Sequence, residues 1–217
     1  WWNGQLDNIS WHKMHQASVS WNLDFAALLK GQVVSQLEFS QASINGSTLL
    51  RLPLRQLLNP QKIHITGAQA LVNIDKITPY APYPLPKTVG QITVFVEQLA
   101  LDLAHLKATS SKIPMITLDS PVRFSTSDIV VLDNFSIGQF SGAVTNANDL
   151  AGYKITVESE SGDLNVKGHS LLTNNAIKSQ YVVKPSATVN PQLTKLLDIM
   201  GQRLQNGHYS FNTAYSL

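Results

Sequence analysis

The sequence predicts an all-β protein: a strongly curved, mainly antiparallel meander sheet, half-barrel-like, of about ten strands with one C-terminal helix. Three observations carry this. Apolar residues recur at every second position, as where Tyr153, Ile155 and Val157 alternate with Lys154, Thr156 and Glu158. That period suits a strand with one wet face and one dry face. Turn signals such as Gly162-Asp163 separate these runs, and the alternation resumes at Leu164 and Val166. The phase of the alternation also slips, around Gly67, between Val96 and Leu99, and near Gly138. Bulges at such slips bend a sheet sharply.

Taken in order, residues 1–23 hold all four tryptophans, Trp1, Trp2, Trp11 and Trp21. Ile9 with Trp11, then Val19, Trp21 and Leu23, have strand spacing, so these rings read first as core anchors and second as candidate partner contacts at Trp11 and Trp21. The run from Asp24 to Lys30 reads as a helical turn with Asp24 as N-cap and Gly31 as its stop. Val33 to Leu52 reads as a hairpin, with Asn45-Gly46 as its turn signal, and Pro53 to Leu58 as a second short helical turn. Ile63 to Ile74 returns to alternation.

Four prolines, Pro79, Pro82, Pro84 and Pro86, make residues 78–90 an extended loop. Gln91 to Lys107 reads as one long strand or two. Residues 108–120 are polar around an apolar island at Met115, Ile116 and Leu118, the one plausible linker. The same strand grammar continues across it, so residues 1–217 are read as a single domain. The tail carries the clear helix: Asn190-Pro191 opens it, Leu193, Leu196, Leu197, Met200 and Leu204 form its stripe, and Gly207 closes it. Tyr209, Phe211, Tyr215 and Leu217 continue as a final strand of period two.

Hydrophobic residues make up 43% of the chain, enough for a core, while charged residues make up 14% against an average of roughly a quarter. A net charge of +2 leaves no basic footprint for nucleic acid. There is no cysteine, which removes disulfides and thiol chemistry. No run reaches the roughly 18 apolar residues of a membrane span. His12 and His15 have an H-x-x-H spacing, but a zinc site needs a third ligand. Glu158 and Glu160 share one side of a strand, and the wet face accounts for them. No nucleophile elbow, phosphate loop or dinucleotide fingerprint is present, so no catalytic, cofactor or metal residue is assigned and the chain is read as non-enzymatic.

The tail motif Asn190-Pro191-Gln192-Leu193, Leu196-Leu197, Met200-Gly201 and Asn206-Gly207-His208-Tyr209 resembles the C-terminal signature of the type II secretion system protein N family. Ile137-Gly138-Gln139-Phe140-Ser141-Gly142, Ser161-Gly162-Asp163-Leu164 and Lys167-Gly168 are similar to its glycine-marked strands. Trp2-Asn3-Gly4, Trp21-Asn22-Leu23 and Leu28-Leu29-Lys30-Gly31 are similar to its opening. The resemblance implies a bacterial periplasmic domain, held in the inner membrane by an N-terminal helix upstream of Trp1. It also implies an accessory component of type II protein secretion, with partners in the inner-membrane platform or the secretin and no cofactor.

About ten one-faced strands and one helix leave apolar surface that a sheet must bury against itself, a partner or a ligand. The alternative function is therefore a carrier or chaperone for a lipid or other apolar ligand. Its candidate groove or core residues are Tyr153, Ile155, Val157, Leu164, Val166, Tyr209 and Phe211.

Overall fold

The computed structural model describes residues 2–11, 14–41, 43–56, 62–78, 86–102, 115–132, 135–147, 152–173 and 176–216. These hold sixteen strands, rather than about ten, and three α-helices, rather than one. Part of the excess is short strands that no run of alternation marks, such as β6 (Thr88–Val89), β10 (Ile129–Val131) and β15 (Gln202–Arg203). By contact the chain divides into two units: Trp1–Val72 with Val94–Val122, and Asn73–Thr93 with Arg123–Leu217.

In the first unit β1 (Asn3–Trp11), β2 (Met14–Leu23), β3 (Gln32–Ser40), β4 (Ile44–Pro53) and β5 (Lys62–Asn73) pair in chain order, each antiparallel to the next. The register puts Leu6, Val19, Phe39, Gly46 and Ala70 side by side on one face, and Ser20, Glu38, Ser47 and Gln69 on the other. Alternation in the sequence is thus a true division of faces. The slip around Gly67 is real too: Gly67 has φ +61 and the β4–β5 register shifts between Ser47 and Leu49. Helix α1 (Phe25–Leu29) begins where the Asp24 carboxylate accepts from the backbone N–H groups of Ala26 and Ala27, as an N-cap should.

Two expectations in this unit are corrected. Asn45-Gly46 is not the hairpin turn. Gln41 and Ile44 are joined by paired backbone bonds ahead of it, and both Asn45 and Gly46 lie inside β4. Gly46 is needed there because the Phe39 ring lies over it: a Cβ would sit 2.4 Å from the ring. The expected linker also contains a strand, β8 (Met115–Leu118), which pairs with residues 99–102 of β7 (Gln91–Asp102).

In the second unit β11 (Phe135–Asn146), β12 (Gly152–Ser161), β13 (Leu164–Thr173), β14 (Ala176–Pro185), β16 (Tyr209–Ser216) and β15 follow one another, flanked on the β11 side by β9 (Val122–Thr126). The β6–β10 pair joins β11 off this path. Helix α2 (Ile74–Ile77), unannounced by any helical stripe, precedes β6. The turn at Gly162-Asp163 falls between β12 and β13 as expected, and the slip near Gly138 appears as register shifts against both β10 and β12.

Helix α3 (Pro191–Met200) stops short of Gly207. Gly201 is extended, and a Cβ there would lie 2.7 Å from the Phe211 ring, so packing against β16 ends the helix nearly two turns early. Neither unit's strand order closes on itself among the described residues: β1 pairs with β2 alone, and β15 with β16 alone.

Candidate functional site

The predicted groove residues lie in the second unit on one face of five strands. Cross-strand register sorts them into rows. Nearest α3 come Val166, Val183 and Tyr209; then Val157, Gly168, Tyr181 and Phe211; then Ile155, Ser170, Ser179 and Thr213; and last Tyr153, Leu172, Ile177 and Tyr215. Val144 of β11 extends the third row.

Helix α3 closes the near end. Leu193 and Leu197 are buried against Leu164, Val183 and Tyr209, with Val166 and Phe211 packed around them. Each buried leucine contributes about 1.5–3 kcal/mol of transfer free energy. Four of the seven predicted residues, Leu164, Val166, Tyr209 and Phe211, therefore sit in a core under the helix. Tyr153, Ile155 and Val157 are half-buried and further along the same face. They show the predicted alternation against exposed Lys154, Thr156 and Glu158. Tyr215, at the far end, is 54% exposed. The face is thus sealed under α3 and exposed at Tyr215, with half-buried residues and the buried Ser170 between.

Tyr209 anchors the sealed end. Its ring is 1% exposed, and its hydroxyl donates to Asp198 Oδ1 at 2.7 Å. Arg203 approaches the same carboxylate at 3.8 Å. The hydrogen bond to Asp198, then burial, then the charge of Asp198 raise the phenol pKa above its ordinary 10.0, with Arg203 opposing. The folded state favours the neutral phenol, so this stabilisation is complete below pH 10.0 and is lost as pH rises through the raised folded value. Tyr209→Phe is expected to flatten the alkaline limb of the stability curve, read by urea denaturation from about pH 8 to about pH 11. An equally steep limb in the variant would refute the assignment.

In the middle of the face, Ser170 Oγ lies 2.8 Å from Ser179 Oγ and 2.7 Å from the Tyr181 hydroxyl. Three hydroxyls satisfy one another there, as buried polar groups must. No imidazole or carboxylate is among the described partners of Ser170. Burial raises the pKa of Tyr153, in keeping with its place on the dry face. Glu158 is exposed and bridged to Lys167 Nζ at 3.0 Å. Among the described residues no three His, Cys, Asp or Glu side chains gather as a metal site. The side chain of His15, and all of His12, lie outside the described residues.

Trp21 is half-buried over Gly4, whose Cβ would meet its ring at 2.3 Å. The same arrangement recurs at Phe39 over Gly46 and Tyr181 over Gly168, each a cross-strand pair. The pairing of glycine with a large ring is a packing device that strand-by-strand reading missed. Trp11 ends β1 opposite Met14, and its side chain lies outside the described residues. Two open clefts in the first unit, of about 580 and 430 Å³, are lined mainly by polar residues, among them Asn22, Gln36 and Arg51 in the first and Ser18, Ser20 and Glu38 in the second. No described helix is long and apolar enough to cross a membrane, which leaves strand-built spans unaddressed.

Comparison with known proteins gives one consistent result. The family described as Type II secretion system (T2SS), protein N, matches residues 1–212. The chain is 25% identical over 218 aligned residues to a Vibrio cholerae serotype O1 protein named "Type II secretion system protein N", covering 97% of this chain and 79% of that one. No solved structure matches.

Proposed function

Because this chain belongs to the type II secretion system protein N family, we propose that it is a non-enzymatic accessory component of that machinery. In this reading it is periplasmic, anchored to the inner membrane, and acts through contacts with the inner-membrane platform or the secretin. Residues 1–217 act as one domain.

The observation that carries the contact mechanism is the free edge of β16. Strand β15 pairs only with Tyr209 and Ser210, while residues 211–214 pair with β14 on one side and with no described strand on the other. Exposed edges invite another strand unless charge, proline or a bulge blunts them. Asn212, Thr213 and Ala214 offer none of these. The β1 edge, by contrast, has two register breaks, Asp7, and Asn8 at φ 58. Strand addition at β16 is the recognition mode that fits.

The test uses the absence of cysteine from the chain. A single Thr213→Cys is expected to crosslink in cells to a secretion component. Adding Asn212→Lys and Ala214→Lys should cut that product at least about tenfold while the fold stays intact. Crosslinking that survives both lysines would refute the edge as the contact.

The second reading is a carrier for a lipid or other apolar ligand, favoured by Tyr153, Ile155 and Val157, which are only half-buried and lie outside the cluster under α3. Native mass spectrometry of the purified chain distinguishes it. A co-purifying lipid lost in Ile155→Asp supports the carrier; its absence, with no apolar dye bound, removes that reading.

A further inference from the structure

One end of the first unit carries large apolar side chains that the fold does not use. Leu29 is 91% exposed, Trp2 50%, Phe25 49% and Leu54 44%. The backbone gathers them. Leu23 N–H donates to Trp2 O at 2.7 Å, and the Trp2 ring lies 4.0 Å from that of Phe25. Phe25 and Leu29 are one turn apart on α1 and share a side of the helix. Leu54 N–H donates to Gly31 O at 2.8 Å, which brings the 3-10 turn Leu54–Gln56 beside the end of α1.

Three cations and one acid stand around this group. Lys30 follows Leu29, Arg55 follows Leu54, and Arg51 lines the same cleft as Lys30. All three are exposed, and none forms an ion pair with a described residue. The nearby acid, Asp24, has its carboxylate engaged by the first amides of α1. An aromatic and leucine cluster with three neighbouring cations that pair with no described acid has the chemistry of a bilayer interface. Apolar and aromatic groups enter the boundary between headgroups and acyl chains, and cations meet anionic lipid phosphates. A protein groove could take the leucines, but it would not by itself explain the three cations.

We propose that this end of the first unit seats on an anionic bilayer, with Trp2, Phe25, Leu29 and Leu54 at the interface and Lys30, Arg51 and Arg55 against lipid phosphates. It is independent of the β16 edge, so vesicle binding and crosslinking at Thr213 can each fail without the other.

The purified chain is mixed with phosphatidylcholine vesicles containing phosphatidylglycerol, or with phosphatidylcholine alone, and recovered by flotation. Binding is expected on the anionic vesicles and should fall as salt rises. Leu29→Glu, and separately Lys30→Glu with Arg55→Glu, should each weaken it at least about tenfold. Ile199→Glu, at a residue of α3 that is 80% exposed, should bind as wild type. No binding to anionic vesicles, or equal binding by Leu29→Glu, overturns the proposal. So does a crosslink from position 29 to a protein in cells without any vesicle binding.

Discussion

Gly138→Ala is expected to destabilise the second unit by more than about 3 kcal/mol. Two separate costs combine. Gly138 has φ +107, a backbone region that side chains with a Cβ rarely enter, and strain of that kind costs about 1–3 kcal/mol. Its new Cβ would also lie 1.9 Å from Ser161 O, so the backbone itself must move. The opposing residue cannot yield, because Gly162 has φ +118 and its own Cβ would lie 2.2 Å from Gly138 Cα. The two glycines face each other at the end of the β11–β12 ladder, one residue before Gln139 pairs with Ser161 and the register shifts at Phe140. Gly207→Ala is the comparison: φ is +76 there, but nothing lies within 4 Å, so strain of about 1 kcal/mol is the whole cost. Urea denaturation of both variants decides. Equal losses would show that the close approach of β11 and β12 is not what requires glycine.

Tyr209→Ala is expected to cost about 3–5 kcal/mol, the range for deleting a large ring from a packed core. Tyr209 is the most buried large side chain among the described residues, and it touches both layers of the cluster: strand residues Leu164 and Val183, and helix residues Leu193 and Leu197. Its removal opens a cavity exactly where α3 meets the sheet. The helix should then detach before the strands melt, since α3 holds to the unit chiefly through this cluster. Tyr209→Phe keeps the ring and loses one hydrogen bond to the Asp198 carboxylate, worth about 1.5–3 kcal/mol for a charged acceptor. A Tyr209→Ala loss no larger than that of Tyr209→Phe would mean that the bond, and not the ring, holds the helix down.

These two sites also bear on function. Gly138 preserves the bent pairing of β11 with β12, the strand that carries Tyr153, Ile155 and Val157. Tyr209 fixes α3 over one end of the face, and that placement leaves the other end half-buried. A variant that releases α3 would enlarge the apolar surface, which gives the carrier reading a handle that the edge-contact reading lacks.

The candidate groove illustrates how far residues alone lead. Alternation places Tyr153, Ile155, Val157, Leu164 and Val166 on one face, and the register confirms that shared face. Alternation says nothing about what lies above each residue. Only the packing of α3 separates Leu164 and Tyr209, sealed, from Ile155, partly open. Likewise Asn45-Gly46 reads as a turn because local chemistry permits it, while the Phe39 ring on the neighbouring strand uses the glycine for another purpose.

From its sequence alone this protein is determined to be antiparallel β, to slip in register at Gly67 and Gly138, to turn at Gly162-Asp163 and to start a late helix at Asn190-Pro191. Each of these depends on residues within a few positions of one another, where period, φ preference and capping act directly. The tertiary structure decided the sixteen-strand order, the end of α3 at Gly201, the glycine–aromatic pairs and the free β16 edge. Those depend on which distant segments meet, and contact across the sheet is a property of packing that no local pattern encodes.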